Sequence, residues 1–242
     1  ITQIQLMSEF WYTYTTRKSV ALALGCAFTF SAILGPPAVA APDHAHIVGS
    51  AFVIDGDTID IGGQRIRLEG IDAPEAGQTC ARRFFGTWRC GAAATKALRS
   101  LVDGRTVTCE SRGTDKYKRV LGICFADGIE INRRMVSDGN AWAFVKYSAS
   151  YVAEEQDARA NHSGIFSTSD NQPPWDYRKR HWASAQQAAP QGCAIKGNVT
   201  RNGRIYHMPW SPWYDKVSIE EARGERWFCS ENEASFSEQN QR

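Results

Sequence analysis

A small group of acidic and basic residues in the first half of the chain has the side-chain types that phosphodiester cleavage requires. Asp57 lies in the segment I-D-G-D-T-I, and the segment R-L-E-G-I-D-A-P-E that follows contains Arg67, Asp72 and Glu75. Arg119 ends a later segment, T-D-K-Y-K-R. Two carboxylates suit a hard cation, a third suits proton transfer, and two guanidinium groups suit phosphate oxygens. The set therefore predicts a site that acts on a phosphodiester.

Each residue of this set has a role that follows from the chemistry. A phosphodiester resists hydrolysis because its anionic oxygens repel nucleophiles and its transition state gains negative charge. Asp57 and Asp72 are candidate ligands of Ca²⁺, which prefers oxygen donors. Glu75 directly follows a proline and is the candidate general base, while Arg67 and Arg119 offer planar forks to phosphate. Taken singly, each residue also fits a plain turn or surface position, so the hypothesis depends on the set.

The composition is that of a folded protein without a strong overall charge. The chain has 242 residues, of which 43% are hydrophobic and 11% aromatic, enough for a packed core. Its length allows one domain with additional segments. The formal charge of +2 is too small to indicate nucleic-acid binding by itself. Any site for a polyanion must therefore come from the local placement of Arg and Lys.

The N-terminal residues have the pattern of an export signal. Arg17 and Lys18 precede the apolar run Ser19–Leu34, and the small residues Ala38-Val39-Ala40 follow. This order predicts a signal peptide over residues 1–40, removed after Ala40. A membrane anchor is the alternative, but the run is shorter than the roughly 20 residues that span a bilayer. We therefore expect a periplasmic or secreted protein with no membrane association after cleavage.

The cysteine count agrees with export. Loss of the signal segment would remove Cys26 from the seven cysteines and leave six. An even number in an exported protein indicates disulfides. A zinc site is the alternative, but the chain has no C-x-x-C pair and its five histidines are scattered. Proximity in the sequence favours three pairs: Cys80–Cys90, Cys109–Cys124 and Cys193–Cys229.

The hydrophobic pattern predicts a mainly β fold with helices. Short alternating segments indicate five strands, two of them joined by a Gly-Gly turn, and 3.6-residue periodicity indicates three helices. This order fits a five-stranded antiparallel barrel of the oligonucleotide/oligosaccharide-binding (OB) class, with helices packed on it. The predicted strands are Ile47–Ile54, Thr58–Ile61, Arg65–Leu68, Arg105–Glu110 and Val120–Phe125, and the predicted helices are Cys90–Val102, Ile129–Asp138 and Ser150–Asn161.

The three charged segments resemble those of the staphylococcal nuclease, or thermonuclease-like, family. The resemblance covers roughly Ile47–Trp182 and its motifs are specific. It implies a Ca²⁺-dependent endonuclease on an OB-fold barrel that cuts DNA and RNA and leaves 3′-phosphate ends. A monomer without a stable protein partner is expected. A non-catalytic nucleic-acid-binding module on the same barrel is the alternative, although such a module would not need the base and the metal carboxylates.

The resemblance also implies roles for individual positions. The metal ligands would be the carboxylates of Asp57 and Asp72 and the backbone carbonyl of Ala73. Lys116 and Tyr117 would contact nucleotide phosphate. The residues with catalytic roles would be Arg67 and Arg119 as phosphate-binding arginines and Glu75 as the base.

Aromatic side chains near the end of the resembling region are candidates to line the nucleotide pocket. Tyr147 matches one of two pocket tyrosines of the family. Phe144 is a second candidate for stacking on a base.

The rest of the chain divides into a linker and a small C-terminal module. The nuclease-like domain is expected over residues 46–182, an Ala/Gln-rich linker over 183–191, and a disulfide-stapled module over 192–236. The basic cluster Arg178-Lys179-Arg180 fits a solvated helix end or a strip that follows a phosphate backbone. Aromatic residues of the module fit a small core, with stacking on bases or on glycans as the alternatives.

Overall fold

A computed structural model describes residues 45–201 and 203–239 of the chain, with side chains described as far as residue 235. The predicted signal peptide over residues 1–40, with Cys26, lies outside these ranges. None of the helices in the described ranges combines the length and the apolar character needed to cross a membrane.

The described chain contains thirteen strands and five α-helices. The strands are β1 His46–Val53, β2 Thr58–Ile61, β3 Gln64–Leu68, β4 Ile71–Asp72, β5 Cys80–Ala81, β6 Thr87–Trp88, β7 Thr106–Thr114, β8 Val120–Ala126, β9 Ile129–Glu130, β10 Trp142–Ala143, β11 Ile195–Thr200, β12 Gly203–His207 and β13 Arg226–Phe228. The helices are α1 Cys90–Val102, α2 Ile131–Ser137, α3 Val152–Ala160, α4 Pro174–Ala188 and α5 Glu231–Gln239.

Five strands close into a barrel, which confirms the predicted OB-like class. Hydrogen bonds link the strands in the order β3-β2-β1-β7-β8, and β3 also pairs with β8. This last pair is parallel, with Ile66 opposite Val120, whereas the sequence predicted an antiparallel barrel. The reason is topological: strand direction cannot alternate around a ring with an odd number of members. One neighbouring pair must therefore be parallel.

Local sequence explains the barrel strands and their register. Gly62 and Gly63 have φ values of 62° and 87°, which the tight turn between β2 and β3 requires and which side chains disfavour. The strands alternate between buried and exposed positions, so that Ile59, Ile66 and Val107 are fully buried in the core. In β3 the alternation buries Ile66 and Leu68 and places Arg67 on the opposite face of the strand.

The predicted helices are present, with small differences at their ends. Helix α1 has the predicted bounds and buries Leu98 and Val102 against the barrel. Helix α2 begins two residues later than predicted because Ile129 and Glu130 pair with β8 as a short strand. It ends at Ser137, one residue before the predicted end at Asp138, and Gly139 just beyond it has a φ of 69°, as expected for a glycine that closes a helix.

Helix α4 occupies part of the segment that the sequence assigned to a linker. Residues 183–188 continue the helix, because Ala and Gln are strong helix formers. Ala185 is buried with Ala194 and Tyr214, and Trp182 packs near Ile195. The helix therefore joins the core of the C-terminal module, and no break in packing separates the two parts of the described chain at that point.

The C-terminal module is a small sheet with a helix against it. Strand β11 lies between β12 and β13, and α5 packs on them. Tyr214 is buried and donates a hydrogen bond to the Ala194 carbonyl at 2.7 Å, while Tyr206 packs near Ile195 and Phe228. These contacts favour the interpretation of the module aromatics as a core. Trp213 differs from them, since 57% of it is exposed.

All three predicted disulfides are present: Cys80–Cys90, Cys109–Cys124 and Cys193–Cys229. The second bridges residues directly opposite each other on β7 and β8, with Cα atoms 4.0 Å apart. The first encloses the β5–β6 hairpin and ends at the first residue of α1.

The Cys109–Cys124 bridge should stabilise the barrel measurably. Replacing both cysteines with alanine removes a cross-link that spans 15 residues, for which the expected loss is about 3 kcal/mol in the free energy of unfolding. Urea unfolding of the oxidised proteins measures the loss. The Cys193/Cys229 double alanine variant leaves the barrel bridge intact and gives the loss for a second bridge, which encloses 36 residues. Equal unfolding free energies for the Cys109/Cys124 variant and the unmodified protein would contradict this role.

Candidate active site

Arg67 lies between two buried aspartates and holds them together. Its Nη1 donates to Asp57 Oδ1 at 2.6 Å, and its Nη2 donates to Asp72 Oδ1 at 2.8 Å. Asp57 lies in the turn between β1 and β2, and Asp72 ends β4. The structure thus brings together three residues that the sequence predicted for one site. Arg65 and Arg67 lie on the same face of β3, and the two ion pairs of Arg67 show that it points into the site.

Close backbone packing brings the two acidic segments together. The Ala73 N–H donates to Asp57 Oδ2 at 3.0 Å, and the Leu68 N–H donates to the Asp57 carbonyl at 2.8 Å. A Cβ on Gly56 would lie only 2.7 Å from Ala73 Cβ, closer than carbon atoms normally approach. Gly56 therefore permits the approach. Ala73 lies at the site as predicted, and its proposed ligand atom, the carbonyl oxygen, remains a prediction.

Glu75 occupies a loop that is fixed by the first residues of α1. Gln78 is buried and accepts the Glu75 N–H at its Oε1, 3.1 Å away, while its own N–H donates to the Glu75 carbonyl at 2.7 Å. Gln78 Nε2 also donates to the Gln172 carbonyl at 2.7 Å. A Cβ on Gly91 would overlap the Glu75 carbonyl oxygen. Gln78 and Gly91 thus position the candidate base, and the sequence analysis identified neither.

A third arginine reaches the site from α4. Arg178 Nη2 donates to Asp72 Oδ2 at 2.6 Å, its Nη1 donates to Asp72 Oδ1 at 3.1 Å, and the same Nη1 donates to Glu75 Oε1 at 2.6 Å. In the sequence, Arg178 belongs to the basic cluster Arg178-Lys179-Arg180, which predicted no role at this site. The only signal was that cluster itself, because more than a hundred residues separate Arg178 from its partners.

The site has more carboxyl groups than guanidinium groups, and burial shifts the pKa values of these carboxyls. Burial, with a smaller contribution from Asp57, raises the pKa of Asp55 to about 6. Burial also raises the pKa of Glu75 to about 7, although Arg178 acts in the opposite direction. Burial raises the pKa of Asp72, although Arg67 and Arg178 act to lower it. At Asp57 burial also acts to raise the pKa, but Arg67 and the Ala73 N–H have the larger effect together and lower it. Asp55, which the sequence analysis did not assign to the site, belongs to this group.

Arg119 directly precedes β8, the strand that pairs with β3, and its guanidinium bonds to Asp115 and not to the carboxylates of Asp57, Asp72 or Glu75. The parallel pairing of β3 with β8 sets Arg67 opposite Leu121, so Arg119 lies two residues before the partner of Arg67, at the end of the loop that leads into β8. Its Nε and Nη2 donate to Asp115 Oδ2 at 2.8 and 2.7 Å. Asp115 also accepts the Tyr117 N–H and the Arg119 N–H, which fixes the loop before β8.

The predicted phosphate contacts, Lys116 and Tyr117, lie in the same loop as Arg119. Lys116 Nζ lies 4.6 Å from the centroid of the Tyr117 ring, and the Arg119 guanidinium carbon lies 5.3 Å from it. Burial, followed by a hydrogen bond to Glu231 at the start of α5, raises the pKa of Tyr117 above its usual range. The C-terminal module therefore reaches this loop through Glu231.

The predicted pocket aromatics form a separate stack beside α4. The Tyr147 ring is 69% exposed and meets Phe144 edge-on at 5.0 Å. Phe144 in turn stacks on Trp175 with centroids 5.4 Å apart and planes 12° apart. Trp175 therefore occupies one face of Phe144, which was expected to stack on a base. Tyr147 keeps an exposed ring.

Comparison with known proteins identifies the family of the chain. Residues 65–168 match the family described as staphylococcal nuclease homologue. An uncharacterized endonuclease of Escherichia coli is 37% identical over 171 residues, which cover 68% of this chain and 99% of that protein. The chain belongs to the staphylococcal nuclease-like family. Micrococcal nuclease of Shigella flexneri is 31% identical over 159 residues, 58% of this chain and 86% of that protein.

Another relative is named for succinoglycan biosynthesis and not for nuclease activity. The succinoglycan biosynthesis protein ExoI of Rhizobium meliloti (strain 1021) is 40% identical over 123 residues, which cover 50% of this chain and 64% of that protein. The match thus spans slightly less than two thirds of ExoI. Family membership and the endonuclease relatives support a staphylococcal nuclease-like phosphodiester endonuclease with nucleic acid as its substrate.

The contact between Gly91 and Glu75 gives a test of how the nuclease positions its candidate base. Gly91→Ala should lower DNA hydrolysis roughly a hundredfold, because the new methyl group pushes the Glu75 backbone away and small displacements of a catalytic group are costly. Initial rates on single-stranded DNA measure this loss. Ala92→Ser, on the adjacent exposed position of the same helix, is the control and should keep full activity. Normal rates for Gly91→Ala would show that Glu75 needs no such positioning.

Proposed function

We propose that this protein is an exported, calcium-dependent endonuclease that hydrolyses DNA and RNA and leaves 3′-phosphate ends. The observation that carries the proposal is the joining of Asp57 and Asp72 by Arg67, with Glu75 held beside Asp72 through Arg178. A non-catalytic nucleic-acid module needs no such group of buried carboxylates.

The charges of the site fit a divalent cation. Asp55, Asp57, Asp72 and Glu75 face two guanidinium groups, so the fully ionised group has a formal charge of −2. Burial is the main cause that raises the pKa values of Asp55, Asp72 and Glu75, and repulsion from neighbouring carboxylates is a smaller one. No set of three or more His, Cys, Asp or Glu side chains converges on a metal position in the described ranges. The proposed ligands accordingly comprise two carboxylates, Asp57 and Asp72, and the carbonyl of Ala73.

Each residue of the site has a separate role in the proposed reaction. Bound Ca²⁺ would supply positive charge at the phosphate. Glu75 accepts a proton from the attacking water, which requires its ionised form. Arg67 uses two of its five N–H donors on the aspartates and keeps others for phosphate oxygens. Arg119 neutralises the same phosphate from the loop before β8, and Lys116 and Tyr117 contact nucleotide phosphate.

The disulfides support the proposed location. Three bridges are consistent with a periplasmic or extracellular protein, since such bonds persist in oxidising compartments. Signal-peptide removal after Ala40 and a monomeric state belong to the same proposal. Tyr147 is proposed to contact the base, because its ring is exposed.

The cation requirement can be tested directly. The protein should release acid-soluble nucleotides from both DNA and RNA with millimolar Ca²⁺ present and release none with excess chelator. Before any further treatment the fragments should have 3′-phosphate and 5′-hydroxyl ends, and a phosphatase should then free inorganic phosphate and expose 3′-hydroxyl ends. Full activity in chelator on either substrate would refute the calcium requirement, and 5′-phosphate ends would refute the proposed cleavage position.

The assignment of Arg119 predicts a large kinetic effect with little effect on folding. Arg119→Ala should lower kcat by about 10²–10³, the usual cost of losing one group that stabilises transition-state charge. Steady-state rates on single-stranded DNA measure it. Arg134→Ala is the matched control, because Arg134 is a solvent-exposed arginine on α2 that pairs with Asp138. Unchanged activity in Arg119→Ala would remove this residue from the mechanism.

A further inference from the structure

Arg178 comes from a part of the chain outside the family match. The matched region ends at residue 168, and Arg178 lies one turn into α4. Its guanidinium nevertheless makes three hydrogen bonds to Asp72 and Glu75, two of them at 2.6 Å. Its side chain is 24% exposed and the Asp72 side chain is fully buried. Arg178 is therefore part of the site in space, although it lies beyond the matched residues.

The start of α4 is anchored next to the site. Pro174 is buried at the first helical position, and Trp175 stacks on Phe144. The carbonyl of Gln172, just before the helix, accepts the hydrogen bond from buried Gln78. These contacts fix the backbone that carries Arg178. A guanidinium released from Asp72 would therefore remain near Glu75.

The acceptor capacity of Asp72 limits what else can bind there. Each carboxylate oxygen has two lone-pair sites. Oδ1 accepts from Arg67 and Arg178, and Oδ2 accepts from Arg178, so a single acceptor site on Oδ2 remains. A cation at that site would also lie beside a positively charged guanidinium. Because like charges repel at such distances, Arg178 and a divalent cation cannot share Asp72 favourably.

We propose that Arg178 is a positioning residue that acts as an internal counter-cation: it occupies Asp72 until a divalent cation replaces it there, and it stays bonded to Glu75 afterwards. The inference rests on the proposed function, because it takes Asp72 as a ligand of Ca²⁺. The exchange costs Arg178 its two bonds to Asp72 and leaves the Nη1–Oε1 bond to Glu75. Arg178 then holds the base while the cation holds the phosphate.

The exchange predicts an unusual effect on calcium affinity. Arg178→Gln should bind Ca²⁺ more tightly, with a Kd lower by on the order of tenfold, because the competing charge-assisted hydrogen bonds are gone. A residue with a merely structural role would leave affinity unchanged or weaken it when replaced. Isothermal titration of the full folded chain with CaCl₂, without nucleic acid, measures the Kd. Thermal unfolding in chelator verifies that the variant is folded.

Two further variants separate competition from other causes. Arg180→Gln removes an exposed charge from the same helix and should leave the Kd within about twofold, since a charge in water is well screened. Arg178→Lys keeps the charge but loses the planar fork, so its Kd should lie between those of the unmodified protein and the Gln variant. If the Gln variant does not fold, the Lys variant decides: a Kd below that of the unmodified protein supports the exchange.

The proposed positioning of Glu75 by Arg178 is tested by a separate measurement, the kcat for DNA. At saturating Ca²⁺, Arg178→Gln should lower kcat for DNA by about tenfold with little change in KM, because Glu75 loses its hydrogen bond while the phosphate contacts remain. An unchanged kcat would refute the positioning role.

The outcomes distinguish this inference from the proposed function. Equal or higher Kd values for Arg178→Gln, with calcium binding intact, overturn the exchange alone. A similar tightening in Arg180→Gln also overturns it, because the effect would then be one of general charge. Absence of calcium binding in the unmodified protein and in every variant overturns both the exchange and the calcium requirement.

Discussion

The ion pairs of Arg67 with Asp57 and Asp72 are the interactions on which the arrangement of the site depends. Buried carboxylates are unfavourable without nearby cations, and these two belong to different segments of the chain. The barrel brings them together because β2 and β3 pair as a hairpin and β4 follows directly. A single guanidinium on β3 can therefore reach both. Removing the guanidinium of Arg67 would leave the buried carboxylates of Asp57 and Asp72 with less neutralising charge. The packing of the two segments therefore depends on this guanidinium.

A second layer of contacts fixes the loop that carries Glu75. Gln78 hydrogen-bonds to the backbone of this loop and to the carbonyl of Gln172, and Gly91 lets α1 pack directly against it. The Cys80–Cys90 bridge closes the hairpin between these two elements. The candidate base is thus held by a loop whose own backbone is restrained at several points, which is what catalysis by positioning requires.

Much of this site could be predicted from sequence because its members lie close together in the chain. Asp57, Arg67, Asp72 and Glu75 fall within two short segments, and neighbouring cysteines pair with one another. Arg178 could not be predicted, because its contacts depend on how α4 packs and a basic cluster fits many surfaces equally well. The Ala/Gln-rich segment was interpreted as a linker for a related reason: these residues form helices readily, but only packing reveals that one face is buried.

The residues that match the family and the residues that form the site do not coincide. The family match stops at residue 168, yet Arg178 neutralises an acid of the site and Glu231 bonds to Tyr117. Residues after the match thus place the guanidinium of Arg178 on a proposed metal ligand, Asp72, and the carboxylate of Glu231 on a proposed phosphate contact, Tyr117. A protein cut back to residues 46–168 would keep Asp57, Arg67, Asp72 and Glu75 and would lose both of these contacts. Its ion preferences would then differ from those of the whole molecule.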